Sequence, residues 1–186
     1  MPTPIELALM RTRKNAAKSA LLFFKEKKSV KSTNNFFDFT SENDQNTLDT
    51  YRGVAARNTI VDAFDDAATT GIGNCDEKGR ICYSALSSNP LLQPPGSVVT
   101  LCEAIHYDHV FVVVANVAVV GPTSLGGLGL TAMVVDGWTQ DWYFPNLGLW
   151  DAKKNNLGNT PNPRQGVIRV KVNYYQFQAY TMPAIM

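Results

Sequence analysis

Apolar residues recur at helical spacing in the first half of the chain and at strand spacing, or without interruption, in the second. After Thr3-Pro4, which suits a helix start with proline in the first turn, Ile5, Leu7, Leu9, Ala16, Ala17, Ala20, Leu21, Phe23 and Phe24 predict one long helix or two short ones. Ser29 to Gln45, rich in Ser, Thr and Asn, reads as a loop anchored by Phe36, Phe37 and Phe39. From about Glu42 to Thr70 the helical pattern is the strongest of the chain. Leu48, Tyr51, Val54, Ala55, Ile60, Val61 and Phe64 mark its inner face, with Asp62, Asp65 and Asp66 outside. Thr69-Thr70-Gly71 ends it. Cys75 to Ser87 contains no proline, and Ile81, Cys82, Ala85 and Leu86 predict a further helix there.

Beyond Asn89-Pro90 and Pro94-Pro95-Gly96 the texture changes to strands rich in Val, Phe and Tyr. These are Ser97 to Glu103, His109 to Val120, Leu130 to Val135 and Val167 to Tyr180. Phe111 to Val114 has no polar face and reads as a central strand. In the last strand Ile168, Val170, Val172 and Tyr174 alternate with Arg169, Lys171 and Asn173, so one face is wet. Asn155 to Gly166 reads as a long surface loop. Helices first and strands second predict an α+β domain with a mainly antiparallel sheet.

The chain has 186 residues, 45% hydrophobic and 18% charged, enough for one domain with a sizeable core. A net charge of +1 gives no whole-molecule field toward nucleic acid or membrane. Charge is uneven, however. Eight of the 17 basic residues lie at or before Lys31, against Glu6 and Glu26. We therefore read residues 1–31 as a basic amphipathic segment and 32–186 as a single domain. Such a helix either packs its apolar side on the domain or makes a weak membrane-surface contact. No apolar run reaches the roughly 18 residues of a membrane span. Arg11, Arg13, Lys14 and Lys18 interrupt any signal-peptide core, so the expected route is secretion without a cleaved signal, or a cytoplasmic location. Three cysteines cannot all pair within one chain, which suits a reducing compartment.

One cysteine is placed for chemistry. Gly71-Ile72-Gly73-Asn74 delivers Cys75 to a helix start, and both glycines and Asn74 tolerate positive φ. Asp76 and Glu77 in the first turn suit the helix dipole. A thiol at a helix N-terminus faces unsatisfied N–H groups, which favour the reactive thiolate. A free cysteine is otherwise most often a small buried hydrophobe. Two later segments weigh against that plain reading: Tyr107-Asp108-His109-Val110-Phe111-Val112 and Met133-Val134-Val135-Asp136-Gly137-Trp138. His109 opens one strand and Asp136 closes the next. A hairpin centred near Pro122 brings them side by side, so the carboxylate can orient the imidazole as a general base. Cys75, His109 and Asp136 then supply nucleophile, base and orienter. Trp138 would shield the His–Asp bond. Asn74, Trp138, Trp142 and Tyr143 are the candidates for lining a substrate cleft, the last two within an aromatic loop that includes Phe144.

Zinc is a rival use of Cys75, Cys82, Cys102, His106 and His109, but structural zinc usually takes cysteines about two to four residues apart. Cys82 and Cys102 read as core and His106 as a rim residue. Asp108 points away from its neighbour, and Asp141 is the competitor to Asp136. Neither metal nor organic cofactor is implied. Oxyanion donors are open among Gln45, Asn46 and Asn58, with the Cys75 N–H as one contributor. A second functional class also remains: a non-catalytic binding module with an inert Cys75 and a functional basic helix.

Gly-Asn-Cys-Asp-Glu on a helix, His-Val-Phe-Val-Val on a strand and Val-Val-Asp-Gly-Trp at the end of the next together resemble the papain-like and transglutaminase-like cysteine enzymes. The likeness is nearest to compact bacterial effector and toxin domains of that group, and it spans about Gly71 to Tyr143. It implies a papain-like fold and attack on an amide through a thioester, as in deamidases, cysteine proteases and transglutaminases. It also implies a protein substrate of a host or target cell and a role in virulence. Gly137 stands where such domains often carry proline. The crowd of Trp138, Trp142, Tyr143, Phe144 and Trp150 after Asp136 tilts the expectation toward a glutamine or asparagine side-chain deamidase.

Overall fold

The computed structural model describes residues 1–26, 30–33, 42–54, 67, 69–90, 97–105, 108–158 and 167–170. Helices come first: α1 (Pro4–Glu26), α2 (Glu42–Val54) and α3 (Cys75–Ser87). Strands follow: β1 (Val98–Ala104), β2 (Val110–Ala115), β3 (Thr123–Ser124), β4 (Met133–Asp136), β5 (Asp141–Tyr143) and β6 (Val167–Val170). A 3-10 turn spans Leu125–Leu128, and a short α4 (Leu149–Lys154) lies between β5 and β6. The sheet order is β3-β6-β1-β2-β4-β5. Each pairing within this sheet is antiparallel. The chain is thus an α+β domain with N-terminal helices and an antiparallel sheet. No helix among the described residues is long and apolar enough to cross a membrane.

α1 is a single helix whose start is fixed locally. The Thr3 N–H and hydroxyl donate to Glu6 Oε2 at 2.7 and 2.9 Å, and the Glu6 N–H donates to the Thr3 hydroxyl at 3.3 Å. Its inner stripe of Met10, Ala16, Ala17, Ala20, Leu21 and Phe24 is buried in one cluster with Cys75, Ile81, Cys82 and Leu86 of α3. Val110, Val112, Val114, Met133 and Val135 of the sheet complete that cluster. The helix of the 1–31 segment therefore shares the core that carries α3. Arg13 goes down with it. Its guanidinium, fully buried, donates to the Thr131 carbonyl at 2.6 Å, the Thr131 hydroxyl at 3.0 Å, Ser97 Oγ at 3.2 Å and Asn116 Oδ1 at 2.7 Å. Burial lowers its pKa to about 10, which leaves the group charged at neutral pH.

β2 is buried along its whole length between β1 and β4, as its unbroken Val-Phe-Val-Val-Val-Ala run predicts. The link between β2 and β4 is not the simple turn expected near Pro122. The chain leaves β2, pairs as β3 with β6 at the far edge, and returns through the 3-10 turn. On the way Val119, Leu125, Leu128 and Ala132 cover Phe111, Val113, Val134 and Cys102 on the second face of the sheet. That excursion is a non-local pairing, which no local turn signal encodes. A second correction concerns Trp142, Tyr143 and Phe144. The first two belong to the short edge strand β5, not to a loop, and all three are buried.

In the 42–70 stretch, α2 covers Glu42–Val54, and Ala67, Thr69 and Thr70 are helical. Leu48 is buried as expected. Ile60, Val61 and Phe64, like Phe36, Phe37, Phe39, Asn58 and His106, lie outside the described residues, as do 159–166 of the long loop and 171–180 of the last strand.

Candidate active site

α3 starts at Cys75, with Asn74 in extended backbone before it. The Asn74 N–H donates to Glu77 Oε2 at 2.9 Å, so the helix closes its own first turn. Positive φ is needed at one position of the preceding loop only, Gly71 at +69°. Gly73 and Asn74 do not use it. At Gly73 the constraint is space, because a Cβ there would sit 2.9 Å from Glu77 Cβ and 3.1 Å from Val30 Cγ1.

A second segment, unforeseen from the sequence, holds the loop in place. The Lys31 N–H donates to the Gly71 carbonyl at 2.9 Å and the Gly73 N–H to the Lys31 carbonyl at 2.8 Å, a parallel bridge between Lys31 and Ile72. Ser32, fully buried, donates to the Gly73 carbonyl at 3.2 Å. The Thr33 N–H donates to Asn74 Oδ1 at 2.9 Å, and Asn74 Nδ2 donates to Thr33 Oγ1 at 2.9 Å. Asn74, one of the cleft candidates, is therefore 7% exposed and engaged in orienting the loop. A visible signal for part of this was Asn74 followed three residues later by Glu77, a capping-box spacing.

His109 stands at the mouth of β2. Its carbonyl accepts the Ala104 N–H at 2.9 Å, which fixes the backbone at the end of β1. Its Nε2 lies 2.7 Å from Asp136 Oδ2. The pairing is diagonal. Val112 faces Val135, and continuing that register sets Phe111 opposite Asp136 and His109 opposite Trp138. The imidazole stacks on Phe111 at 5.9 Å between ring centroids and meets Trp138 edge-on at 5.6 Å. Trp138 thus flanks the His–Asp bond, where the sequence placed it.

Asp136 is 1% exposed. Its second oxygen, Oδ1, accepts the Trp138 N–H at 2.9 Å and the Thr139 N–H at 3.2 Å. Both oxygens are therefore occupied, and the carboxylate cannot rotate away from the ring. Gly137 makes this turn possible. A Cβ there would meet the Lys78 carbonyl oxygen of α3 at 2.7 Å and Cys82 Sγ at 2.9 Å. A proline at 137 would collide with the helix in the same way, so glycine is what this packing demands.

Cys75 is 7% exposed. Its Sγ lies 3.9 Å from the Asp108 carbonyl, and it is near enough to the His109 ring to influence its titration. With Nε2 held by Asp136, Nδ1 is the ring nitrogen left for Cys75. Burial disfavours a charge on His109, but the hydrogen bond to Asp136 and the nearby Cys75 outweigh it, raising the imidazole pKa to about 9. The arrangement stabilises an imidazolium beside the Asp136 carboxylate.

The other residues considered fall elsewhere. Cys82 and Cys102 are fully buried, and burial pushes both thiols up, Cys82 further raised by the charge of Asp136. Trp142 is buried on the α1 side, edge-on to Phe144 at 6.1 Å and under Lys14. Tyr143 is buried on the opposite side of the sheet, within reach of the Asp136 and Asp141 charges. Asp141 faces Asp136 across the β4–β5 pair, and its carboxylate accepts the Trp142 N–H at 2.8 Å. Asp108 is exposed and offers Cys75 its carbonyl. Gln45 bonds Asp49 on the surface of α2 at 2.8 Å, and Asn46 lies on the same helix. Among the described residues, no three His, Cys, Asp or Glu side chains are grouped to hold a metal ion. Comparison with family models, with curated proteins and with solved structures found no match to this chain.

Proposed function

We propose that the protein is a thiol-dependent enzyme acting on amide bonds of a protein, with Cys75 as nucleophile, His109 as base and acid, and Asp136 as orienter. The observation that carries the reading is the 2.7 Å His109–Asp136 bond at the N-terminus of the helix that bears Cys75. A carboxylate locked by two N–H groups holds Nε2 of the ring and leaves Nδ1 free to take the thiol proton.

The reaction follows from these parts. Cys75 gives its proton to His109, and the thiolate attacks the amide carbon, forming a C–S bond and an oxyanion. The Cys75 N–H, in the helix turn that has no intrahelical acceptor, can donate to that oxyanion. The imidazolium protonates the leaving nitrogen as the C–N bond breaks, leaving a thioester. Water then attacks with His109 accepting its proton, and the C–S bond breaks to release acid and thiolate.

Among amide chemistries we favour glutamine or asparagine side-chain deamidation. Cys75 is nearly enclosed and Trp138 packs edge-on against His109, which suits a slender carboxamide better than a length of backbone. Papain-like proteolysis and transglutamination share the thioester and differ in the acyl group or the acceptor. The papain-like class and the effector role rest on the likeness of the three short motifs, and the three free thiols suit a reducing cytosol.

The test is intact-mass measurement on candidate protein substrates incubated with the wild type and with Cys75→Ala. Deamidation appears as the small gain of NH2 replaced by OH, cross-linking as ligation and proteolysis as cleavage. Product formation by Cys75→Ala at the wild-type rate would remove the enzyme reading.

A further inference from the structure

A groove of about 280 Å³ opens between the C-terminal half of α1 and the turn that joins β4 to β5, lined by Lys18, Leu21, Leu22, Gln140 and Trp142. Its floor is apolar: Leu21 and Trp142 are almost buried, while Leu22 stands 44% exposed as one wall. The other wall is Gln140, held at φ +54° in the turn that begins with Gly137 and Trp138. Along the same side of α1 run Arg11, Lys14 and Lys18, spaced so that all three border one face. Their mutual repulsion, after partial burial, lowers the Lys14 pKa, which places the three cations within electrostatic reach of one another. Lys14 also lies over the Trp142 ring at 5.8 Å and donates to the Asn156 carbonyl. The nearby Asp141 carboxylate is turned back onto the Trp142 N–H.

We propose that this groove docks an acidic segment of a protein partner, one apolar side chain seated on Leu21, Leu22 and Trp142 and the flanking carboxylates facing the Arg11–Lys14–Lys18 stripe. An apolar floor beside a stripe of three positive charges is complementary to that chemistry. An anionic membrane offers the same sign of charge, but α1 has little to insert. Its apolar face is spent on the core, and among the described side chains of the helix the exposed large hydrophobics, Ile5 and Leu22, are nearly five turns apart. The inference does not depend on the chemistry of Cys75.

Fluorescence anisotropy on the full chain tests it, with a short labelled Asp/Glu-rich peptide carrying one central Leu as the probe. The Leu→Ser peptide and a peptide with Lys in place of each acid are the controls. Lys18 is exposed, so Lys18→Glu should keep the wild-type melting curve and weaken binding of the acidic probe by about tenfold, one lost surface pair plus a like-charge repulsion. Leu22→Ser should weaken it several-fold, and added salt should weaken the wild type. Equal binding of the acidic probe to wild type and Lys18→Glu overturns the proposal. So does retention on phosphatidylserine vesicles by a chain that ignores the acidic peptide.

Discussion

Asp136→Asn removes one charge from the site while nearly preserving its shape, and its effect should depend on pH in a way that packing cannot imitate. The His109 pKa rises from 6.5 to about 9 in the folded chain. That gap corresponds to about 3 kcal/mol. A histidine that holds its proton more tightly when folded contributes its full stabilisation below about pH 6.5. It loses this as pH rises through the window to about 9, because there the folded state binds more protons than the unfolded one. In Asp136→Asn burial still lowers the His109 pKa while the largest opposing interaction is gone, so it should fall toward or below 6.5. The variant should therefore be less stable than wild type by about 3 kcal/mol near pH 6 and by much less near pH 10. Urea unfolding at both pH values measures this, and groups common to both proteins cancel in the difference. An NMR titration of the ring reads the same shift directly, and with two histidines in the chain a His106 variant settles the assignment. An equal loss at both pH values would refute the charge-pair account and leave Asp136 a packing residue.

Cys75→Ala and His109→Ala should each abolish turnover, and Asp136→Ala should be milder, as scored by the substrate-mass assay. Iodoacetamide with peptide mapping should label Cys75 before Cys82 or Cys102 in the folded chain, since both of the latter are fully buried with raised thiol pKa values. Gly137→Ala should cost about 1–3 kcal/mol or more in urea, because its Cβ enters the backbone of α3. Thr33→Val should lower stability by about 1 kcal/mol and slow Cys75 alkylation, because Asn74 loses its hydroxyl partner. Arg13→Met should cost about 1–3 kcal/mol, stranding the buried Thr131 carbonyl, again measured in urea.

The parts of the candidate site that could be read from the sequence are those coded within a few residues. α3 announced itself by a proline-free run with apolar residues at helical spacing and acids in its first turn. β2 did so by an unbroken apolar run. His109 and Asp136 were legible as partners because each marks a strand end. The expected alignment around Pro122 was still off, and the true register makes them diagonal neighbours. The error lies in the connection. β3 pairs with β6, more than forty residues on, and a contact at that separation leaves no periodic trace. The same is true of the Lys31–Ile72 bridge. Arg13 was illegible for a different reason: a guanidinium on a helix ordinarily reads as surface, and here neutral oxygens from three other segments draw it in.

What brings the three residues to one height is how closely α3 can approach the sheet. Two glycines set that distance from opposite sides. Gly79 of α3 faces β2, where an added Cβ would lie 2.9 Å from Val110 Cγ1, the residue next to His109. Gly137, the residue after Asp136, faces the Lys78 carbonyl one residue before Gly79. Each contact is thus made beside a proposed catalytic group, and each would be lost to a single methyl. A larger residue at either position would push α3 outward and carry Cys75 away from an imidazole held by Asp136 on a backbone fixed by the Ala104 N–H. Displacement of this kind should reduce turnover more than it reduces stability, since a shift of about 1 Å is costly to catalysis and modest in packing energy. Gly79→Ala separates the two: activity should fall by about a hundredfold in a chain that still unfolds cooperatively in urea. Unchanged activity in that folded variant would mean that the helix-to-sheet distance does not set the position of Cys75.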